Sequence, residues 1–179
     1  MNNQPTRYHP ALVALHWLLA LMLVFALGMG TFSLKELSNA SPDKIGALRG
    51  HMIVGLVIGS LMLVRLLTRV RTALPAPATA GSALLDKLGH AVHIGLYLAV
   101  FAMAASGAAT AFQADLPQIV FFGSGATLPE SFAHLLPRAV HGWMAKLIAA
   151  LVALHVIGAL FHQFRLKDRL MSRMWFGPR

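Results

Sequence analysis

Three histidines, His141, His155 and His162, sit in residues 138–164, RAVHGWMAKLIAALVALHVIGALFHQF, a stretch apolar enough to cross a bilayer. An imidazole binds metals and exchanges protons near neutral pH, and both abilities are costly to keep inside hydrocarbon unless they are used. Fourteen residues separate His141 from His155, close to four helical turns, so both rings leave one helix face about 21 Å apart. His162 continues that face two turns further on. Two imidazoles at those levels can each ligate one haem, one near either membrane surface. The ordinary alternative is that all three bond to neighbouring helices as packing glue.

Six more histidines complete the set of nine. His16 and His51 lie near the starts of two other apolar runs, and His90 and His93 open a third. His9 and His134 fall outside the apolar runs and read as solvated. No HExxH is present, and the histidines fall at separate levels rather than converging, which argues against a tetrahedral zinc site. Cysteine is absent, which removes thiolate metal sites, iron–sulfur clusters, disulfides and CxxCH haem attachment. Any haem must therefore be held non-covalently.

Long apolar helices must position these rings. Of 179 residues, 57% are hydrophobic and 12% charged, with a mean hydropathy of +0.66, well outside the range of soluble domains. The chain reads as one all-α integral membrane domain over 1–179, a four-helix bundle with spans at about 11–32, 47–70, 87–112 and 138–164. The N-terminal run continues too far for a cleaved signal and reads as the first span. Residues 71–87, RTALPAPATAGSALLDK, read as an extended connection, and the apolar parts of 113–137 as a segment lying on the membrane. The tail RLKDRLMSRMWFGPR reads as amphipathic and resting on the bilayer.

The net charge of +9 follows from helix ends and lipid headgroups, not from a nucleic-acid partner. Arg7, Arg65, Arg69, Arg71, Lys87, Arg165, Lys167, Arg169, Arg173 and Arg179 gather on one side; Lys35, Lys44, Arg49, Arg138 and Lys146 lie on the other. This bias places both termini in the cytoplasm. His51 and His141 then share a depth near the outer surface and can face each other across one haem. His155 lies near the inner side, where His16 and His93 are both at suitable depth, and depth does not choose between them. Two imidazoles fill both axial positions of an iron, so such a haem passes electrons and performs no ligand chemistry. Arg49 and Arg138 outside, and Arg65, Arg69 and Lys87 inside, are placed to meet haem propionates. Gly50, Gly55, Gly142 and Gly158, close to these histidines, would let a flat macrocycle approach the backbone.

The set resembles the bacterial cytochrome b561 family. The matching residues are the pair HW at His16 and Trp17, His51 followed by VRLLTR with Arg65 and Arg69, and GHAVHIGLYL with His90 and His93, then His141, His155, His162 and KDRLMSRM. They span nearly the whole chain. The resemblance implies two b haems with iron ligands from the first, second and fourth helices: His51 with His141 outside, and His16 with His155 inside. It implies a multi-pass protein of the bacterial inner membrane in which periplasmic superoxide reduces the outer haem and ubiquinone is reduced by the inner one. The family also includes subunits that link a soluble periplasmic redox protein to the quinone pool. Arg49, Arg138 and Lys146 would then mark an anion entrance, and His162, with His93 as a second contact, the quinone site, since quinone reduction consumes protons.

Overall fold

A computed structural model describes residues 4–177, and every regular element among them is helical. Helix α1, Pro10–Gly28, starts with a proline whose missing N–H costs nothing in the first turn. His9, expected to be solvated, caps it: its Nδ1 accepts from the Ala11 N–H at 3.2 Å. The span then widens into a π-helical turn, Met29–Leu34. Helix α2, Pro42–Arg71, begins at Pro42 rather than near Ala47, because Ser41 Oγ accepts from the Asp43 N–H and Asp43 complements the helix dipole.

Helix α3 covers Ala83–Gln113 and so includes the last part of the connection read from sequence as extended. The Asp86 carboxylate explains the early start: it accepts from the Ala80 N–H at 2.6 Å and from Thr79 Oγ1 at 2.8 Å, fastening the preceding loop to the first turn. Past Gln113, Asp115 turns left-handed and the short helix α4, Leu116–Val120, follows. It does not lie out on the membrane. Leu116 and Val120 are buried with Ala111, surrounded by Ile45, Leu48, Met52, Leu128 and Phe132. Helix α5, Leu136–Leu160, ends in a second π-helical turn, Phe161–Leu166, and α6 is the single turn Leu170–Arg173.

Four spans, Pro10–Leu34, Pro42–Arg71, Ala83–Gln113 and Leu136–Leu166, are long and apolar enough to cross a membrane. Their outer faces are apolar and exposed, as at Leu21, Leu56, Leu98, Phe112 and Ile157, which is what contact with lipid tails requires. All four meet in one buried cluster of Leu19, Ile58, Met62, Ala99, Val100 and Ile148. Ile148 is fully buried and lies two turns from both His141 and His155, so the core fills the layer between two levels of histidine.

Close backbone packing joins α1 to α2, α2 to α3 and α3 to α5. Small residues allow it: a Cβ on Gly59 would come within 3.3 Å of Ala104, and one on Gly95 within 3.4 Å of Leu151. No comparable packing joins α5 to α1 or α2, which leaves a seam between them.

Arg49 secures α4. Its Nε and Nη2 both donate to the Val120 carbonyl, at 3.0 and 2.6 Å, satisfying the C-terminal end of that helix. Arg49→Ala is expected to loosen the 113–136 connection, costing about 1 kcal/mol for a partly exposed charged hydrogen bond. Faster proteolysis there, with a lower thermal midpoint in detergent, checks it.

Candidate functional site

Histidine rings cross the seam at both levels. At one, His51 of α2 faces His141 of α5 with ring centroids 6.0 Å apart and planes at 77°. At the other, His16 of α1 faces His155 of α5, also at 6.0 Å, with planes at 66°. His93 of α3 approaches the same His155 ring at 5.1 Å. Two imidazoles bound to one metal through bonds of about 2 Å put their centroids about 6 Å apart. The two cross-seam pairs have that spacing, and the His93–His155 contact is shorter.

The surroundings suit imidazole acting as a ligand. His141 Nδ1 faces the Met103 carbonyl at 3.0 Å, and Ser106 Oγ lies 3.3 Å away. A carbonyl only accepts, so Nδ1 carries the hydrogen and Nε2 keeps its lone pair for a metal. Ser106 Oγ also donates to Met103 O, and Thr110 Oγ1 donates to Ser106 O, which fixes this stretch of α3 behind the ring. The buried Nδ1 of His51 has no protein partner. Such an unmet polar atom is costly in a bundle core unless a further group completes the site.

Glycine clears space, although not always where the sequence pointed. A Cβ on Gly107 would stand 3.0 Å from the His141 ring, so a side chain there would displace it. Gly107 lies within the small-residue run AMAASGAAT of α3, and nothing in its spacing marks it as facing a histidine on another helix. Gly55 and Gly158, one turn from His51 and His155, have open space where a Cβ would be. A Cβ on Gly50 would instead meet the Met29 methyl at 3.1 Å, and one on Gly142 would meet Arg138 Nη1 at 3.4 Å.

The basic residues divide by role. Arg138 folds along α5 towards Gly142, and among the described residues no carboxylate or carbonyl takes its guanidinium. Arg49 is committed to Val120, and Lys146 lies over the exposed ring of Trp143, 4.4 Å from its centroid. Near the other level, Arg65 donates from Nη1 to the Tyr97 hydroxyl and lies over its ring, while its buried Nε lacks a partner. Tyr97 escaped notice in the sequence, yet it follows His93 by one helical turn. Trp17 packs edge-on against His16 at 5.2 Å and donates from Nε1 to the Met174 carbonyl at 2.9 Å, tying the tail to this level.

His162 stands apart from both pairs. The π-helical turn carries it, and its Nδ1 lies 2.6 Å from Asp168 Oδ2, the single ion pair among the described residues. His90 and His134 are exposed.

The site therefore offers two imidazole pairs with iron spacing and no thiolate, and among the described residues no cluster of three metal-binding side chains, a donor set that fits haem b. The sequence pattern of the prokaryotic cytochrome b561 family matches residues 7–177. Cytochrome b561 homolog 2 of Escherichia coli strain K12 is 31% identical, over 97% of this chain and 93% of its own. The probable superoxide oxidase CybB of Yersinia pestis is 27% identical, over 94% and 95%, and cytochrome b562 of Cereibacter sphaeroides is 28% identical, over 97% and 98%. With its four apolar helices and paired histidines, the chain belongs to the prokaryotic cytochrome b561 family, bacterial membrane proteins that transfer electrons across the bilayer on b haems.

Proposed function

We propose that the chain holds two bis-histidine b haems and moves electrons from periplasmic superoxide to ubiquinone, with both termini in the cytoplasm. The observation that carries this reading is the pair of cross-seam ring distances, 6.0 Å at each level, where α5 lacks close backbone packing on α1 or α2. His51 and His141 would hold the outer haem, and His16 and His155 the inner one. The shorter approach of His93 to His155 favours His16 as the iron ligand and leaves His93 for a contact with quinone. A haem held by two imidazoles supplies an iron that accepts and releases one electron without opening a site for oxygen.

The protein's own residues do the rest. The Met103 carbonyl holds His141 in the tautomer that would leave Nε2 free to bind an iron. Arg138, at the outer end of α5 and with no carboxylate partner among the described residues, supports a small anion as donor. The name of the Yersinia relative points to the same donor. Arg49 contributes its charge to that side while its donors hold α4. At the inner end, quinone reduction needs protons as well as electrons, and His162 is a proton-exchanging group whose Nδ1 is bonded to Asp168.

Haem content tests the core of the proposal. The wild type is expected to hold two haems per chain by pyridine assay. His51→Ala and His141→Ala should lose one and the same spectral component, His16→Ala and His155→Ala the other, and His93→Ala neither. Loss of the inner component in His93→Ala, with His16→Ala intact, would reverse the assignment.

The donor is tested from outside. Arg138→Glu should slow haem reduction by superoxide about tenfold, and added salt should slow the wild type. Rates indifferent to both would favour a periplasmic redox protein as donor. At the inner end, His162→Ala should keep both haem spectra and fast reduction from outside while slowing haem reoxidation by quinone at least about tenfold. Normal reoxidation would remove the quinone from this position.

A further inference from the structure

The single ion pair among the described residues joins His162 to Asp168, and the chain assembles it against several local preferences. Asp168 lies just past the C-terminus of the last span, where carbonyl groups point outward and an anion is disfavoured. The rest of that end is basic, with Arg165, Lys167, Arg169 and Arg173. Both neighbours of Asp168, Lys167 and Arg169, are non-glycine residues in the left-handed region, at φ 57° and 56°. Such conformations persist where the surroundings over-determine them, and they gather at functional sites. A π-helical turn carrying His162 is a second irregularity of the same kind.

These irregularities aim one carboxylate at one imidazole. Asp168 Oδ2 lies 2.6 Å from His162 Nδ1, while Oδ1 accepts from the Leu170 N–H at 3.0 Å and the Asp168 N–H meets the His162 carbonyl at 3.4 Å. The carboxylate is locked on both oxygens. The His162 and Asp168 side chains are 14% and 27% exposed, shielded but within reach of water. With Nδ1 committed to Asp168, the free nitrogen of His162 is Nε2. Burial works against the charge of Asp168, but its bonds to His162 and the Leu170 N–H hold its pKa below the usual carboxylate range, so it stays ionised through neutral pH.

We infer that His162 and Asp168 form a proton-uptake dyad, in which His162 Nε2 delivers protons to a quinone oxygen and Asp168 positions the ring and favours its recharging from the cytoplasmic side. This rests on the quinone site proposed above. The balance is simple: two superoxide anions each give up one electron and leave as dioxygen, and the quinone takes both electrons and two protons. One proton leaves Nε2 of the imidazolium for the quinone oxygen that faces it, the opposite oxygen takes its proton from water, and the imidazole regains one from the solvent. His162 is the catalytic residue and Asp168 a positioning residue. The charged groups around the pair are Arg173 on α6, Asp86 in the first turn of α3, and the flanking Lys167 and Arg169. Asp86 is already occupied by Thr79 and Ala80, which leaves Asp168 as the bonded partner of the ring.

The test uses the full-length protein with both haems bound, and a short-chain ubiquinone as acceptor. Asp168→Asn keeps the size of the side chain and one acceptor oxygen but removes the charge that favours a protonated imidazole. It should leave haem content, haem spectra and reduction by superoxide unchanged, slow reoxidation by quinone about tenfold near neutral pH, and recover as pH falls. Its rate profile should move by about one pH unit towards acid. Asp168→Glu should restore most of the rate. If Asp168→Asn reoxidised at the wild-type rate with the wild-type profile while His162→Ala was slow, the dyad would be refuted and the quinone site would stand. If His162→Ala also reoxidised normally, the quinone site itself would fall. A slowed Asp168→Asn with an unshifted profile would reduce the carboxylate to a structural tie and overturn its proposed role.

Discussion

An imidazole inside a hydrocarbon layer must be given something to bind, and this bundle is arranged around that requirement. Its helices pack closely along α1, α2, α3 and α5 in turn, then stop short of closing the ring. Across the unclosed seam the rings of His51 and His141, and of His16 and His155, stand 6.0 Å apart. That distance is too long for a hydrogen bond between the rings and matches two ligands on one iron. A bundle held only by side-chain packing would close such a seam, since close approach is the main attraction between helices in lipid. In the proposed arrangement the cofactors supply the contact that the helices forgo.

The two levels are supported differently. The His51 and His141 level is backed by α3, where Met103, Ser106 and Gly107 set the tautomer and position of one ring, and by α4, which Arg49 pins against α2. The other level is closed from below by chain ends. Arg7 donates to the Phe176 carbonyl, the Tyr8 N–H to Arg173 O, and Trp17 to Met174 O, while Arg173 reaches the Ala76 carbonyl in the α2–α3 connection. Three segments distant in sequence thus form one layer beneath His16 and His155. The His162 and Asp168 pair lies beside this layer, with Arg173 among the charges near the carboxylate.

Charge placement follows the same division of labour. Arg49 and Lys146 share a side with Arg138, but one is bonded to a helix end and the other lies over Trp143. Formal charge counted from sequence therefore overstates how much of it faces the histidine pair. A guanidinium held by backbone carbonyls still contributes potential, but its donors are spent on the fold.

Sequence by itself determined the class, the four apolar spans and the histidines that lie within them, because a membrane leaves little freedom: apolar length fixes the helices, and a polar ring within one stands out by its cost. The fourteen-residue interval of His141 and His155 also fixed the two levels, since helical rise is constant. What the helix period cannot contain is the contact between helices. Whether His155 meets His16 or His93 at iron spacing, that Gly107 rather than Gly142 clears room for the His141 ring, and that Arg49 turns to Val120 all depend on which faces adjoin. Asp168 shows the limit most plainly. In sequence it is one acid in a basic tail, and only two left-handed residues and a π-helical turn, set by the folded end of α5, bring its carboxylate onto His162.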